Sequence, residues 1–340
     1  MKTHRFSLWH SLWLIVPLLL WWSLRHVPVF QIGQVIKDLT IREIFILFGL
    51  NLGILFLFSG RWWLILRSMG YRVTYIMLSM YRIAGFGVSY FTPGPQFGGE
   101  PLQFALLKKR HAIPNSGGVS SIYLDKLLEV LVNFTFLVFG MVTILLTGMA
   151  KQYMQTWMWL VIFAIAAFPF IHFAGLIRGN KPLSWLLSRM PMSNDKSVIK
   201  VRQTVYEAEE QITRFFREKP ITFLKSLLVS LAILSGMILE YGLLAHFLGI
   251  PLTFIQIITS FTAARLAFLT PLPGGLGALE ISQVLAMQSI GFSAVEGISL
   301  SLVIRGRDIL IGLIGLWLGG WYLRNSIVKS ERQYYKEDEA

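Results

Sequence analysis

The sequence predicts an all-α polytopic membrane protein with about six transmembrane helices and two re-entrant helical hairpins that form an inverted repeat. Three observations lead to this prediction. The chain has 340 residues, is 54% hydrophobic and has a mean hydropathy of +0.60, as in proteins that cross a membrane several times. Two apolar stretches are interrupted by segments rich in proline and glycine, and those two segments are alike in sequence.

The composition also narrows the function. The formal net charge is +13, but the basic residues cluster at the ends of apolar stretches. That pattern indicates anionic lipid surfaces and a positive-inside topology rather than nucleic acid. There is no cysteine, which excludes disulfides, thiolate metal sites and thiol catalysis. The sequence shows no Walker A motif and no metal-binding histidine spacing, so we expect no ATP-driven pump in this chain and no cofactor.

Residues 1–150 form the first predicted repeat. Its spans are predicted over about 8–24, 44–66 and 116–149. A short stretch at 29–39 has apolar residues at helical spacing, which suits a helix lying on the membrane surface.

A re-entrant hairpin is predicted over about residues 75–110. Its apolar helix is broken by TPGPQFGGE at 92–100, because proline lacks the N–H that a helix needs and glycine opens backbone angles that other residues avoid. The segment begins after Arg67 and Arg72 and ends in the basic run 108–110. Both ends are therefore predicted to lie on the cytoplasmic side.

Residues 151–324 form the second predicted repeat, with spans over about 154–177, 221–248 and 295–323. Between the first two of these spans lies a basic loop, about 178–220, which the positive-inside rule places in the cytoplasm.

The second half of that loop, 198–216, has the spacing of an amphipathic helix. The second re-entrant hairpin is predicted over about 253–290, and a charged cytoplasmic tail over 325–340. This arrangement puts both termini in the cytoplasm, and we expect the protein in the plasma (inner) membrane.

The two broken segments align with each other. FTPGPQFGGE at 91–100 matches LTPLPGGLGALE at 269–280, and the spacing from Glu100 to Asp125 equals that from Glu280 to Arg305. Because three spans per half is an odd number, the halves have opposite orientations, as in many transporters. The alternative is that proline and glycine were used independently in two loops.

Charges inside predicted spans mark either a pathway or a buried pair. Asp125 and Glu129 lie one turn apart on one helix face, with Lys126 beside them. The equivalent place in the second half carries three further charged residues, Arg305, Arg307 and Asp308, whose excess of positive charge would suit a phosphate. The alternative is a structural cluster whose charges satisfy one another.

The glycine turns suggest a second binding element. A half-helix that starts after Gly98 and Gly99, or after Gly274 and Gly275, would point its free N–H groups into the membrane and stabilise an anion there. The glutamate that follows each turn has two alternative roles: it caps these N–H groups, or it contacts an ammonium group or an arginine such as Arg82 or Arg265.

Three of these motifs resemble the lysylphosphatidylglycerol synthetase/flippase transmembrane family over about 8–323. They are TPG…GE at 92–100, D-K-x-x-E at 125–129 and PLPGGLGALE at 271–280. The family's first motif usually reads T-P-G-R-x-G-E and its span-three motif E-R-x-x-D, so this chain departs from both, whereas the third motif is intact.

The resemblance implies a lipid translocase. Its synthetase members carry a further soluble aminoacyl-transferase domain, for which 340 residues leave no room, so we expect the flippase portion alone and no synthesis of aminoacyl lipid. The expected function is an ATP-independent lipid flippase. The alternatives are a membrane-embedded lipid transferase and a partner subunit of a lipid-synthesis enzyme.

The expected partners are membrane lipids with anionic phosphate headgroups, and not nucleic acid; a homo-oligomer is compatible with the sequence. Motifs and intramembrane charges together give the predicted substrate-binding residues: Arg82, Thr92, Gly98, Gly99, Glu100, Asp125, Lys126, Glu129, Arg265, Thr270, Gly274, Gly275, Gly277, Glu280, Arg305, Arg307 and Asp308.

Overall fold

A computed structural model describes residues 39–92, 98–148, 156–189 and 196–338, together with Phe30 and Lys37. Within these residues the protein is all helical. The helices are α1 (Ile41–Ser68), α2 (Tyr75–Phe91), α3 (Glu100–His111), α4 (Asn115–Thr147), α5 (Thr156–Ile177), α6 (Pro182–Arg189), α7 (Lys196–Glu218), α8 (Pro220–Phe247), α9 (Phe254–Ala267), a 3₁₀ turn (Pro273–Gly275), α10 (Ala278–Ser289) and α11 (Ala294–Asp338). The predicted span 8–24 and most of the predicted surface helix 29–39 lie outside the described residues.

Among the described residues, three helices are long and apolar enough to cross a membrane, namely α1, α4 and α8. They coincide with the predicted spans 44–66, 116–149 and 221–248. α5 and α11 begin close to where two further spans are predicted, but α11 continues to Asp338, beyond the predicted end at 323. The count of six spans and the inverted repeat stay predictions.

Local sequence signals set the ends of these helices. Thr40 caps α1: its side chain accepts the N–H of Glu43, and the Glu43 carboxylate accepts the N–H of Thr40 at 2.7 Å. Thr253 and Gln256 form the same reciprocal cap at the start of α9. The long helix α1 and the shorter helix α9 therefore begin with the same capping motif.

Both predicted breaks are confirmed. The first separates α2 from α3, although residues 93–97 within it lie outside the described residues. The second separates α9 from α10 and contains the 3₁₀ turn Pro273–Gly275. Gly274 and Gly277 have φ angles of 55° and 77°, a region that glycine adopts without steric cost.

Helices that are far apart in the sequence pack against each other. α1 lies against α8, α2 against α11, and α9 against α4. Glycine permits the close approach of α2 to α11. A Cβ atom on Gly87 would lie 2.5 Å from the carbonyl oxygen of Gly312, and one on Gly315 would lie 2.2 Å from that of Ile83. α2 and α11 are thus in contact backbone to backbone, as small residues allow in membrane helices.

The predicted cytoplasmic loop 178–220 contains two helices, α6 and α7. The amphipathic prediction for 198–216 is confirmed by α7, which buries Ala208, Ile212 and Phe215 and packs on α4. The loop is therefore folded onto the helix bundle by an apolar face.

Candidate functional site

A cavity of about 180 Å³ lies between α1, α2, α3, α4, α8, α9 and α11. We call it the charged cavity. Its polar lining residues come from seven helices: Asn51, Arg82, Ser89, Tyr90, Glu100, Gln103, Asp125, Lys126, Glu129, Glu240, Arg265, Arg307 and Asp308. Eight of the seventeen predicted site residues, on five different helices, are thus brought together at this one place.

The charges of α4 are bound by arginines from the first two helices. Asp125 accepts a hydrogen bond from Arg61 Nε at 2.7 Å and another from Arg82. Glu129 accepts from Arg82 Nη2 at 2.8 Å and from Lys126 Nζ at 2.9 Å. Arg61 and Asp125 are only 1% and 2% exposed. α1, α2 and α4 are therefore tied together by an ion-pair network that is nearly closed to solvent.

A second ion-pair group involves the charges of α11. Arg307 pairs with Glu240 of α8 and with Asp308, at 2.8 Å from the latter. Arg305, which is 1% exposed, lies 2.6 Å from Glu280. The predicted excess of positive charge is therefore wrong here, because helix packing brings two glutamates that are distant in sequence to the two arginines.

The glutamates after the two turns fill both of their predicted roles at once. Glu100 accepts the N–H of Gly98 at 2.8 Å and lies 3.7 Å from Lys126 Nζ. Glu280 accepts the N–H of Gly277 at 3.0 Å and binds Arg305. In each hairpin the carboxylate joins its own turn to the long helix that follows.

Two details of the glutamate prediction need correction. The cation that each glutamate contacts is Lys126 or Arg305, and not Arg82 or Arg265, which bind elsewhere. The turn N–H groups that were expected to meet an anion also have acceptors within the protein, since Gly99 donates to Ser89 Oγ at 2.8 Å. The reason is geometric: an acidic residue in the first helical turn folds back over the nearest N–H groups.

The remaining predicted residues lie in the turns and at the helix ends of the two hairpins. Thr92 and Thr270 donate to the carbonyls of Val88 and Ala267, at 2.9 and 2.7 Å, where α2 and α9 end. A Cβ on Gly274 would lie 2.7 Å from the Tyr90 ring, so this turn packs directly on a residue that lines the charged cavity. Nine predicted residues do not themselves line that cavity: Thr92, Gly98, Gly99, Thr270, Gly274, Gly275, Gly277, Glu280 and Arg305.

Arg265 differs from the other cations of the charged cavity. Its Nη2 donates to the amide oxygen of Asn133 at 2.5 Å. No carboxylate of the described residues lies within 4 Å of its guanidinium nitrogens. Of the three arginines that line the charged cavity, Arg265 is therefore the one whose described hydrogen bond goes to a neutral group.

A larger cleft of about 1050 Å³ adjoins this arginine, between α3, α4, α5, α6 and α9. We call it the apolar cleft, since side chains such as Phe104, Phe134 and Leu137 line it. Six residues line both spaces: Glu100, Ile122, Lys126, Glu129, Arg265 and Phe268. A charged space and an apolar space thus meet at a boundary that carries two basic side chains.

Sequence reasoning missed several residues of the site. Arg61 lies within the predicted span 44–66 but is not among the predicted site residues, although it binds Asp125 from inside α1. Glu240 was placed within a span but given no role, and Asn51 donates to it at 3.0 Å. The rule that charges inside spans mark functional positions would have selected both Arg61 and Glu240. Nothing in the local sequence selects the amides Asn51 and Asn133.

The arrangement can hold charged groups but offers no evident metal site. In the part of the chain that the structure describes, no three histidine, aspartate or glutamate side chains are grouped as metal ligands. The carboxylates of the charged cavity instead face arginine or lysine.

Comparisons with known proteins agree with the resemblance in the motifs. The family described as the lysylphosphatidylglycerol synthase TM region matches residues 12–315. The chain is also 23% identical over 323 residues to the UPF0104 membrane protein PH1989 of Pyrococcus horikoshii, a match that covers 89% of this chain and 90% of that protein. No solved structure matches the chain. Since the family match covers most of the sequence, this membrane protein belongs to the lysylphosphatidylglycerol synthase TM region family.

Proposed function

We propose that the protein is an ATP-independent lipid flippase, which moves a polar lipid headgroup between leaflets while the acyl chains stay in apolar surroundings. The observation that carries this proposal is the junction of the charged cavity with the apolar cleft at Arg265. A lipid has the same two-part character, with a charged headgroup joined to hydrocarbon. One molecule could therefore place each part in the matching space.

Arg265 is the residue that we assign to the phosphate of the headgroup. An arginine bonded only to a neutral amide can exchange that bond for a charge-assisted one to phosphate without breaking an ion pair. The other cations around the cavity already have carboxylate partners. The substrate class is thus a membrane lipid with an anionic phosphate headgroup.

The packing of the hairpins supports an inverted repeat as the scaffold for this movement. The first arm of each hairpin, α2 or α9, contacts the last long helix of the other half, α11 or α4. The two turn glutamates make corresponding contacts. With six spans, the protein would lie in the plasma membrane with both termini in the cytoplasm, and the groove between the repeats would carry the headgroup.

The alternative of a lipid transferase receives less support from the carboxylates. General-base catalysis needs a carboxylate that is free to take a proton from a substrate. Asp125 and Glu129 instead accept hydrogen bonds from two arginines and a lysine. A translocation path lined by balanced charges fits this arrangement better.

A partner subunit of a lipid-synthesis enzyme remains the second candidate, because the description of the family refers to a synthase. Co-purification of a lipid-synthesis enzyme with the full chain, together with the absence of transport by the chain alone, would favour this role.

Reconstitution tests the proposal directly. Phosphatidylglycerol with a fluorescent acyl chain is included in vesicles with and without the purified protein, and dithionite then bleaches the label in the outer leaflet. We expect the protein, without nucleotide, to make the inner-leaflet label accessible as well. Bleaching that stops at the outer leaflet in vesicles shown to contain folded protein would contradict the proposal.

A further inference from the structure

α6 is a short helix that is attached to the protein mainly through its first turn. Glu209 of α7 accepts the N–H groups of Leu183 and Ser184 at 2.8 and 3.0 Å, and the Ser184 hydroxyl at 2.5 Å. Glu209 is only 1% exposed, whereas none of the residues of α6 is buried. A buried carboxylate therefore anchors one end of a helix that otherwise lies on the surface.

The exposed part of α6 is apolar. Trp185 and Leu186 are 56% and 47% exposed, and both also line the apolar cleft. A tryptophan and a leucine at adjacent exposed positions are costly in water. Both side chains therefore lie at the edge of the apolar cleft as well as on the surface.

The surroundings of these two side chains are basic. The Arg189 guanidinium lies 4.3 Å from the centre of the Trp185 ring, and the Lys181 ammonium lies 3.3 Å from that of Tyr206. The described residues from 178 to 219 contain nine lysines and arginines but only four glutamates. The basic residues are Arg178, Lys181, Arg189, Lys196, Lys200, Arg202, Arg214, Arg217 and Lys219.

Two of the four glutamates of this segment are engaged by neighbouring groups, whereas Glu207 and Glu218 are exposed. Glu209 is buried under α6, and Glu210 is paired with Lys181 at 3.5 Å and with Arg214 at 3.3 Å. Arg189, beside the Trp185 ring, is exposed. The face around Trp185 is therefore apolar at its centre and positive at its edge.

We propose that α6 binds the anionic lipid surface of the membrane, with Trp185 and Leu186 in the boundary between headgroups and acyl chains and Arg189 among the headgroups. An apolar helix face edged by cations is the pattern of helices that lie in this boundary. The charge identifies the occupant, because a leaflet rich in acidic lipids attracts each nearby lysine or arginine. This surface role does not depend on lipid translocation.

The chain contains no cysteine, so one label can be placed on α6 without removing others. Ser188 is an exposed α6 residue whose hydroxyl bonds to the carbonyl of Trp185. The full-length Ser188→Cys variant is labelled with the fluorophore NBD and reconstituted in phosphatidylcholine vesicles, with or without added phosphatidylglycerol. In the anionic vesicles we expect blue-shifted emission and protection from iodide, both reversed by salt.

Two further substitutions in the labelled protein locate the interaction. Arg189→Gln should lower the ratio of inserted to free α6 about fivefold in anionic vesicles, which corresponds to the loss of one cation near an acidic surface. Lys109→Gln removes an exposed cation from α3 and should leave the ratio unchanged.

Two results would overturn the proposal. One is a label that iodide quenches equally in neutral and anionic vesicles. The other is a label that stays protected in detergent at high salt, because that would mean that protein rather than lipid covers α6. Elution of each variant as a single folded species in detergent shows that the comparison concerns α6 and not unfolding.

Discussion

Arg305 Nη2 lies 2.7 Å from Glu280 Oε2, and the same carboxylate oxygen accepts the N–H of Gly277 at 3.0 Å. One side chain therefore joins the turn of the second hairpin to α11. Arg305 is 1% exposed, and its Nε has no hydrogen-bond partner in the described structure. Among the described residues, the one other hydrogen bond of the guanidinium goes to the carbonyl oxygen of Gly275, at 3.5 Å.

Glu280→Ala should therefore destabilise the protein by about 3 kcal/mol, because it leaves a buried arginine without its counter-charge. This is the low end for such pairs, since the Glu280 side chain is 26% exposed. Thermal unfolding in detergent measures the effect. Glu296→Ala is the matched control: it removes an exposed cap of the Ser293 N–H and should cost about 1 kcal/mol. Equal losses for the two variants would contradict the assigned role of Glu280.

Asp125→Ala should be more damaging than the substitution of its neighbour Lys126. Removing Asp125 deprives two arginines, Arg61 and Arg82, of a shared buried partner, which should cost about 4 kcal/mol. Lys126→Ala should cost about 1 kcal/mol or less, because Glu129 keeps its bonds to both arginines and is itself partly exposed. Denaturant titration in mixed micelles compares the two, and an equal effect would mean that the network does not depend on Asp125.

The sequence predicted the breaks and the charged positions because both follow local rules. Proline and glycine end a helix wherever they occur, and a charge in an apolar run is visible by itself. The partners of those charges were not predictable in this way. Arg61 lies 64 residues from Asp125, and Glu240 lies 67 residues from Arg307. These ion pairs form because of how the helices pack, and a local sequence pattern does not predict that packing.

The basic loop 178–220 gives a second example of what a local sequence pattern cannot predict. The spacing of apolar residues predicted the helix that became α7, but an amphipathic face does not say what covers it. In the structure Ile212 and Phe215 of that face pack against Leu124 and Leu128 of α4. α6 was not predicted, because eight residues are too few for a clear helical period.

Gly99→Ala should force the arms of the first hairpin apart. The added Cβ would lie 1.9 Å from the carbonyl oxygen of Gly85, and backbone cannot yield as a side chain can. We expect a loss of about 2–3 kcal/mol in thermal unfolding. Gly53→Ala is the control within α1, where no described residue outside that helix lies within 4 Å of the new methyl group, and it should change stability by about 1 kcal/mol or less. A tolerated Gly99→Ala would show that α2 and α3 are not in close contact.

Glu209→Ala should release the first turn of α6. The substitution removes the acceptor of the Leu183 and Ser184 N–H groups, so their amide hydrogens should exchange about tenfold faster. Hydrogen exchange followed by mass spectrometry on the peptide that covers α6 gives the rate. Glu207→Ala, which loses only an exposed contact with Gln203, should leave that peptide unchanged. Unchanged exchange after Glu209→Ala would mean that α6 is held by other contacts.

Arg265→Gln should slow lipid transport while the protein stays folded. Glutamine can still donate to Asn133, but it cannot offer a charge-assisted hydrogen bond to a phosphate. Such bonds contribute about 1.5–3 kcal/mol, so the rate in the vesicle assay should fall by a factor of about ten to a hundred. The control is Lys200→Gln, which removes an exposed cation of α7. This variant should transport lipid at the wild-type rate. Wild-type transport by the Arg265→Gln variant would mean that this arginine does not bind the headgroup. A large loss of thermal stability in that variant would mean that Arg265 has a structural role instead.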